Sequence, residues 1–174
     1  MVIKWPTLMC RYADIVQTAL PATPSLFLYR NPLEILSSIE ARPLGKVEDM
    51  QPHLLAGPGQ QVNDTNVSGL AAIAHLLAAN CEWIAQSGSV VSLDYARLSG
   101  AGRAAAARYF GFSLTKRQCD QIAAEASINA KLPNQVFVPD SDVKRARASE
   151  ECRRLAKIVF EPSLARALGN LVAL

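Results

Sequence analysis

The chain has 174 residues, of which 50% are apolar, and these values favour one globular domain with a single core, spanning residues 1–174. Eighteen Lys and Arg against fifteen Asp and Glu give a net charge of +3, which excludes a strong general attraction to nucleic acid or to anionic membranes. The four cysteines are widely separated. The sequence therefore predicts neither a zinc site nor a disulfide framework, and no metal is expected.

The N-terminal segment contains Lys4 and leads into an amphipathic stretch, unlike the long apolar run of a signal peptide. The most apolar later stretch, Leu70–Ala79, is too short to cross a membrane. We therefore expect a cytoplasmic protein with no membrane partner and no nucleic-acid partner. Residues 2–5 are compatible with a short strand, and apolar residues at 8–20 follow a helical period.

The first candidate site combines a strand, an arginine and the start of a helix. Apolar and aromatic residues at 25–29 predict a buried strand that ends at Arg30. Asn31 is a good N-cap, Pro32 suits the first helical position, and Glu34 is spaced for a capping box. The arginine therefore lies between a strand and a helix N-terminus, which outlines an anion-binding site.

Strands and helices alternate in the first part of the chain, which predicts an α/β fold with a parallel sheet of few strands flanked by helices. Residues 43–63 are rich in proline and glycine and predict a long functional or mobile loop. The later part is expected to be rich in helix. The expected elements after the loop are a helix from 64 or 65 to 88, a strand at 89–95, a turn at Gly100–Gly102, helices at 101–110, 115–126 and 140–157, and a last helix from Glu161 and Pro162. Thr115 and Gln118 are spaced for a capping box that opens the second of these helices, and Asp140-Ser141 is expected to cap the third.

Arg30 is followed by Asn-Pro, and Ser38 lies eight residues after it on the predicted helix. This segment resembles the 3′-phosphate-binding segment of the sulfotransferase family, which uses 3′-phosphoadenosine 5′-phosphosulfate (PAPS) as its sulfuryl donor. The resemblance implies that Arg30 and Ser38, rather than Ser37, hold the 3′-phosphate. The alternative is that Arg30 is a surface charge at a strand end and Ser38 a mid-helix hydroxyl facing solvent or its own backbone.

The resemblance suggests roles for three further residues. Tyr95 matches the tyrosine that lies near the adenine in that family, although a strand-end aromatic that packs its ring is an equally good interpretation. Lys4 lies 26 residues before Arg30, where the family has a lysine that meets the transferring sulfuryl group. His53, in the long loop, is the histidine placed to act as general base, because His75 falls inside a predicted helix.

Lys144 and Arg145 are candidates for additional phosphate contacts, as basic residues near the C-terminal end are in the family. With Arg147 they follow Ser141 closely and form a basic first turn of the predicted helix. Positive charge there opposes the helix macrodipole unless an anion lies nearby. A solvated charged face is the alternative interpretation.

Two features of the family have no counterpart in this sequence. Pro6 stands where the family has a catalytic histidine, and nothing before Lys4 can form the phosphate-cradling loop and its central strand. The resemblance therefore implies a P-loop NTPase-like sulfotransferase fold that lacks the N-terminal phosphate-loop strand, in a domain that is incomplete at its N-terminus. Exposed sheet edges in such a fold favour a homo-oligomer that covers them.

Two functional hypotheses follow. The first is a sulfotransferase-like enzyme that transfers a sulfuryl group from PAPS, without a metal, to a hydroxyl or amine of a small-molecule acceptor. The second is a non-catalytic α/β scaffold or interaction subunit derived from the same fold. The missing loop and histidine favour the scaffold, whereas the joint presence of Lys4, Arg30, Ser38 and Tyr95 favours the transferase.

Overall fold

The computed structural model describes residues 12–41, 69–87, 90–98, 100–129, 132–136 and 138–174, which form helices around a small sheet. The helices are α1 (Ala13–Ala19), α2 (Pro32–Glu40), α3 (Gly69–Ala85), α4 (Gly100–Tyr109), α5 (Lys116–Ala126), α6 (Ser141–Arg147), α7 (Glu150–Leu155) and α8 (Glu161–Asn170). The strands are β1 (Ser25–Tyr29), β2 (Val90–Asp94), β3 (Ile128–Asn129), β4 (Leu132–Val136) and β5 (Val172–Ala173).

A parallel sheet of three described strands has the order β1–β2–β5, with β2 in the centre. Tyr29, the last residue of β1, lies opposite Asp94, the last residue of β2. The two residues that follow these strands therefore emerge side by side at one edge of the sheet. The predicted α/β class, with a small parallel sheet and a helix-rich second half, is confirmed. The short strands β3 and β4 form a separate antiparallel pair.

Helix α2 begins where the sequence predicts. The Asn31 side-chain oxygen accepts hydrogen bonds from the backbone N–H groups of Leu33 (3.0 Å) and Glu34 (3.3 Å), and a proline occupies the first helical position. The capping box predicted for Glu34 is wrong, because its carboxylate binds Arg30 and a serine of α6 instead. Asn31 thus satisfies the helix start by itself, and Glu34 is used in tertiary contacts.

Two apolar clusters fix α2 and β1 in the fold. The first joins α2, α3 and α7, and its buried members are Leu36, Leu70, Ala74, Ala148, Cys152, Leu155 and Ala156. The second joins α3 to α8, and its buried members are Cys81, Phe160, Leu164 and Ala167. Phe27 and Tyr29 of β1 pack against this second cluster. Because apolar burial is the dominant favourable term in folding, these clusters determine where the segment between β1 and α2 lies.

Helix α4 starts at Gly100, so the turn predicted at Gly100–Gly102 is wrong. Gly102 lies inside the helix, and a Cβ atom there would fall 2.0 Å from the carbonyl oxygen of Arg97. The glycine is therefore required by the close approach of the preceding turn rather than by a turn of its own. The Tyr109 hydroxyl then donates to the Ser25 carbonyl (3.1 Å), which ties the end of α4 to the start of β1. The capping box predicted at Thr115–Gln118 is confirmed.

The single helix predicted from residue 140 to 157 is wrong, since the chain forms two helices there. Ala148 has an extended backbone (φ −56°, ψ 131°) that ends α6. Ser149 then caps α7 by accepting a hydrogen bond from the Cys152 backbone N–H (3.1 Å). The break turns α7 so that Cys152 packs into the cluster around Leu36.

A π-helical turn, Ala156–Phe160, joins α7 to α8. The backbone N–H of Glu161 donates to the carbonyl of Ala156, five residues earlier. In a regular helix the ring of Pro162 would clash with the carbonyl four residues before it, and the wider turn relieves that clash. The helix therefore continues to Asn170, and the start predicted for it at Glu161 and Pro162 is confirmed.

Candidate functional site

Arg30 and Tyr95 follow β1 and β2 directly, and parallel pairing brings them together. The guanidinium carbon of Arg30 lies 5.0 Å from the centroid of the Tyr95 ring, which is a cation–π contact. Tyr95 begins a short 3₁₀ turn held by Asp94, whose Oδ1 accepts a hydrogen bond from the Ala96 N–H (2.8 Å). Two residues that the sequence suggested separately are therefore adjacent in space, and the tyrosine remains 39% exposed.

Within the described part of the chain, two carboxylates contact Arg30. Its Nε donates to Oε2 of the buried Glu34 (2.7 Å), and its Nη2 donates to Oδ1 of Asp140 (3.2 Å). Burial lowers the pKa of Arg30, but the hydrogen bonds to Glu34 and Asp140 outweigh that effect and raise the pKa above its usual value. Arg30 is therefore a permanent cation whose charge is shared between a buried and an exposed acid.

Asp140 joins Arg30 to Lys144. Its Oδ2 lies 2.8 Å from Lys144 Nζ, so the carboxylate bridges two cations. Burial raises the pKa of Asp140, but the hydrogen bonds from Lys144 and Arg30 prevail and hold the pKa below its usual range. The capping bond predicted from Asp140 to the following helix is wrong, since the side chain makes no such bond and faces the cations instead.

Arg145 contacts the same network from its other side. Its Nη1 lies 3.4 Å from Glu34 Oε1, and its Nη2 donates to Asp142 (2.9 Å). Lys144 and Arg145 lie in the last turn of a seven-residue helix, where positive charge agrees with the macrodipole. The basic first turn expected from the sequence is therefore wrong, and carboxylates already accompany both predicted phosphate contacts.

Ser37, rather than Ser38, connects α2 to α6. Ser37 is 1% exposed, its Oγ donates to the Lys144 carbonyl (2.9 Å), and it accepts a hydrogen bond from Arg147 Nε (3.2 Å). Ser38 is the next residue of α2 and is half-buried. Both of these hydrogen bonds of the Ser37 hydroxyl join α2 to α6. The phosphate contact that the resemblance assigns to Ser38 stays a prediction.

Lys4, His53 and the predicted loop at 43–63 lie outside the described residues, so their roles stay predictions. His75 is exposed on α3. Among the residues that the structure describes, no group of three or more His, Cys, Asp or Glu side chains is arranged to hold a metal ion. None of the described helices is long and apolar enough to cross a membrane.

Sequence reasoning missed Glu34 and Asp140 as partners of Arg30. The four-residue spacing of Arg30 and Glu34 is a usable signal for an ion pair, whereas Asp140 lies 110 residues away and gives no local signal. The charged cluster at this edge of the sheet contains the cations Arg30, Lys144, Arg145 and Arg147 and the carboxylates Glu34, Asp140 and Asp142. If one of these carboxylates moves aside, the cations it leaves can accept an anionic ligand.

Comparisons with family models, with curated proteins and with solved structures found no match to this sequence.

Proposed function

We propose that the chain is a sulfotransferase-like protein that binds PAPS and transfers its sulfuryl group to a hydroxyl or amine of a small-molecule acceptor. The observation that carries the proposal is the contact of Arg30 with Tyr95 where β1 and β2 end. A guanidinium fork suits a phosphate, and an exposed ring beside it suits a purine. The finer fold, a P-loop NTPase-like sulfotransferase fold without its phosphate-loop strand, is part of the same proposal.

Each residue of the proposed donor site has a distinct task. Arg30 and Ser38 bind the 3′-phosphate, Lys144 and Arg145 add positive charge from α6, and Tyr95 lies against the adenine. Sulfuryl transfer needs a cation to receive the charge that develops on the leaving phosphate and a base to take the acceptor proton. Lys4 is the proposed cation and His53 the proposed base.

A non-catalytic α/β scaffold is the second candidate, and one observation favours it. Glu34 and Asp140 already satisfy the guanidinium of Arg30 without any ligand. The bonds of Ser141 to Glu34 and of Arg147 to Ser37 likewise join α2 to α6. In that case the charged cluster is a structural clamp between the two helices.

Titration calorimetry with adenosine 3′,5′-bisphosphate, the donor without its sulfuryl group, tests the proposal. We expect saturable binding that Arg30→Ala weakens about thirtyfold, because losing a charge-assisted pair to phosphate costs about 2 kcal/mol. Adenosine 5′-phosphate, which lacks the 3′-phosphate, should bind more weakly by a similar factor.

Arg166→Ala is the matched control, since Arg166 is also an arginine paired with a glutamate, Glu82, away from the charged cluster. Its affinity should stay within about twofold of the wild type, as expected for distant independent sites. Circular dichroism establishes that each variant is folded. A folded wild-type chain that binds no bisphosphate, or an Arg30→Ala variant that binds as the wild type does, would contradict the proposal and favour the scaffold.

A further inference from the structure

The Asp140 carboxylate occupies the place between Arg30 and Lys144 that a bound phosphate needs. One oxygen lies 3.2 Å from Arg30 Nη2 and the other 2.8 Å from Lys144 Nζ. Two oxygens of a phosphate group can make the same pair of charge-assisted contacts. A phosphate can therefore reach both cations only if Asp140 gives up its contacts.

The two carboxylates on Arg30 differ in how firmly they are held. The Glu34 side chain is 6% exposed and is bonded to Arg30, Arg145 and Ser141. The Asp140 side chain is 51% exposed and makes no cap bond to the helix that follows it. Separating Glu34 from its cations would leave a buried carboxylate without partners, which is costly. The half-exposed Asp140 carboxylate can instead return to water when a phosphate takes over its contacts to Arg30 and to the buried Lys144. Asp140 is the partner that can leave.

We infer that Asp140 is an internal competitor for the phosphate: it neutralises Arg30 and Lys144 in the free protein, moves aside when the ligand binds, and thereby sets the affinity of the site. This inference rests on the proposed function, because it concerns the same nucleotide site. Once Asp140 has moved, Lys144 and the Nη2 group of Arg30 can contact two oxygens of a phosphate beside the Tyr95 ring, while Arg30 Nε keeps its bond to Glu34.

Asp140→Asn in the full chain tests the inference, because it keeps the shape of the side chain and removes the competing charge. Titrated with adenosine 3′,5′-bisphosphate, the variant should bind about tenfold more tightly than the wild type, since the ligand no longer displaces a charged partner. Asp120→Asn is the matched control. Asp120 is an exposed acid on α5, outside the charged cluster. Its effect on affinity should stay within about twofold.

Tighter binding by Asp140→Asn but not by Asp120→Asn supports the inference. Unchanged or weaker binding by Asp140→Asn, with wild-type binding that still depends on Arg30, overturns the inference and leaves the proposed function standing. Absence of binding by both folded proteins overturns both. Asp140→Ser is a second variant of the same kind and should change the affinity in the same direction if the asparagine variant folds poorly.

Discussion

The N-terminal end and the middle of α2 are held in the protein by different forces. At the N-terminal end, Glu34 is buried among cations, and the exposed Asp140 shares the charge of Arg30. Two residues further on, Leu36 is fully buried in an apolar cluster with Cys152 and its neighbours. Apolar packing requires a fixed volume, whereas the charged end requires only that each charge keep some partner. A ligand can therefore replace a partner at the charged end without disturbing the core.

The largest loss of stability is expected from Leu36→Ala. Leu36 is 0% exposed, and truncation of a buried leucine removes apolar contacts and leaves a cavity, at a cost of about 3 kcal/mol. Urea denaturation followed by circular dichroism measures the free energy of unfolding. Leu20→Ala is the control, because Leu20 is 49% exposed, and it should cost less than about 1 kcal/mol. Equal losses from both variants would mean that Leu36 does not lie in the core.

Glu34→Gln should have an intermediate effect. The amide keeps the shape of the side chain but no longer attracts Arg30 and Arg145, and breaking these partly buried pairs should cost about 2 kcal/mol. Glu125→Gln, at an exposed position on α5, controls for the loss of one acidic charge. If Glu34→Gln is as stable as this control, the charged end of α2 does not contribute to folding and the comparison of the two regions fails.

Low pH should weaken the charged end of α2 but not its apolar middle, and this loss of stability should be smaller than the two losses above. The pKa of Asp140 lies below its usual 3.8, because the bonds from Lys144 and Arg30 outweigh burial. A carboxyl with a lowered pKa stabilises the fold fully above its unfolded pKa and loses that contribution as the pH falls through its folded pKa. We expect the free energy of unfolding to fall as the pH drops below about 5 and through the folded pKa of Asp140. Asp140→Asn should reduce this fall by less than about 1 kcal/mol, because the Asp140 carboxylate is half-exposed.

Glu40 should also contribute to the loss of stability at low pH, since a hydrogen bond with Ser149 holds its pKa below the usual 4.5.

Leu36→Ala serves as the comparison for the pH experiment, because it should lower the free energy of unfolding by a similar amount at every pH. A curve for Asp140→Asn that runs parallel to the wild-type curve would show that Asp140 is not paired in solution.

The sequence predicted those features that depend on neighbouring residues. The strand before Arg30, the N-cap at Asn31 and the capping box at Thr115 follow from local hydrogen bonding and apolar pattern, and all are confirmed. The predicted burial of that strand is wrong, because it is half-buried and Leu28 is 42% exposed. The break at Ala148 was missed, although Ser149 followed by two glutamates is a typical helix start. The residues before Ser149 also fit a helical pattern, so nothing in those residues indicates that one helix ends there and another begins.

The partners of Arg30 could be predicted only in part. Glu34 is four residues away and within reach of a local rule, but Asp140 is brought to the site by packing of α6 against α2, which no local pattern encodes. The same packing places Ser37, and not Ser38, in hydrogen-bond contact with α6. Tertiary contacts of this kind depend on the whole fold, whereas caps and strand ends depend on a few neighbours.

The π turn at Ala156–Phe160 has a consequence for the pitch of the C-terminal helices. Cys152, Ala156, Phe160 and Leu164 are spaced by four residues and are all buried. A regular helix rotates about 100° per residue, so a four-residue spacing drifts sideways by about 40° per step. The wider turn reduces this drift and keeps the buried stripe aligned along both α7 and α8. Because the wider turn holds one residue more than an α-helical turn, removing one residue would leave a regular helix with Leu164 still on the side of Cys152. Adding one residue would instead rotate Leu164 by about 100° away from the buried stripe.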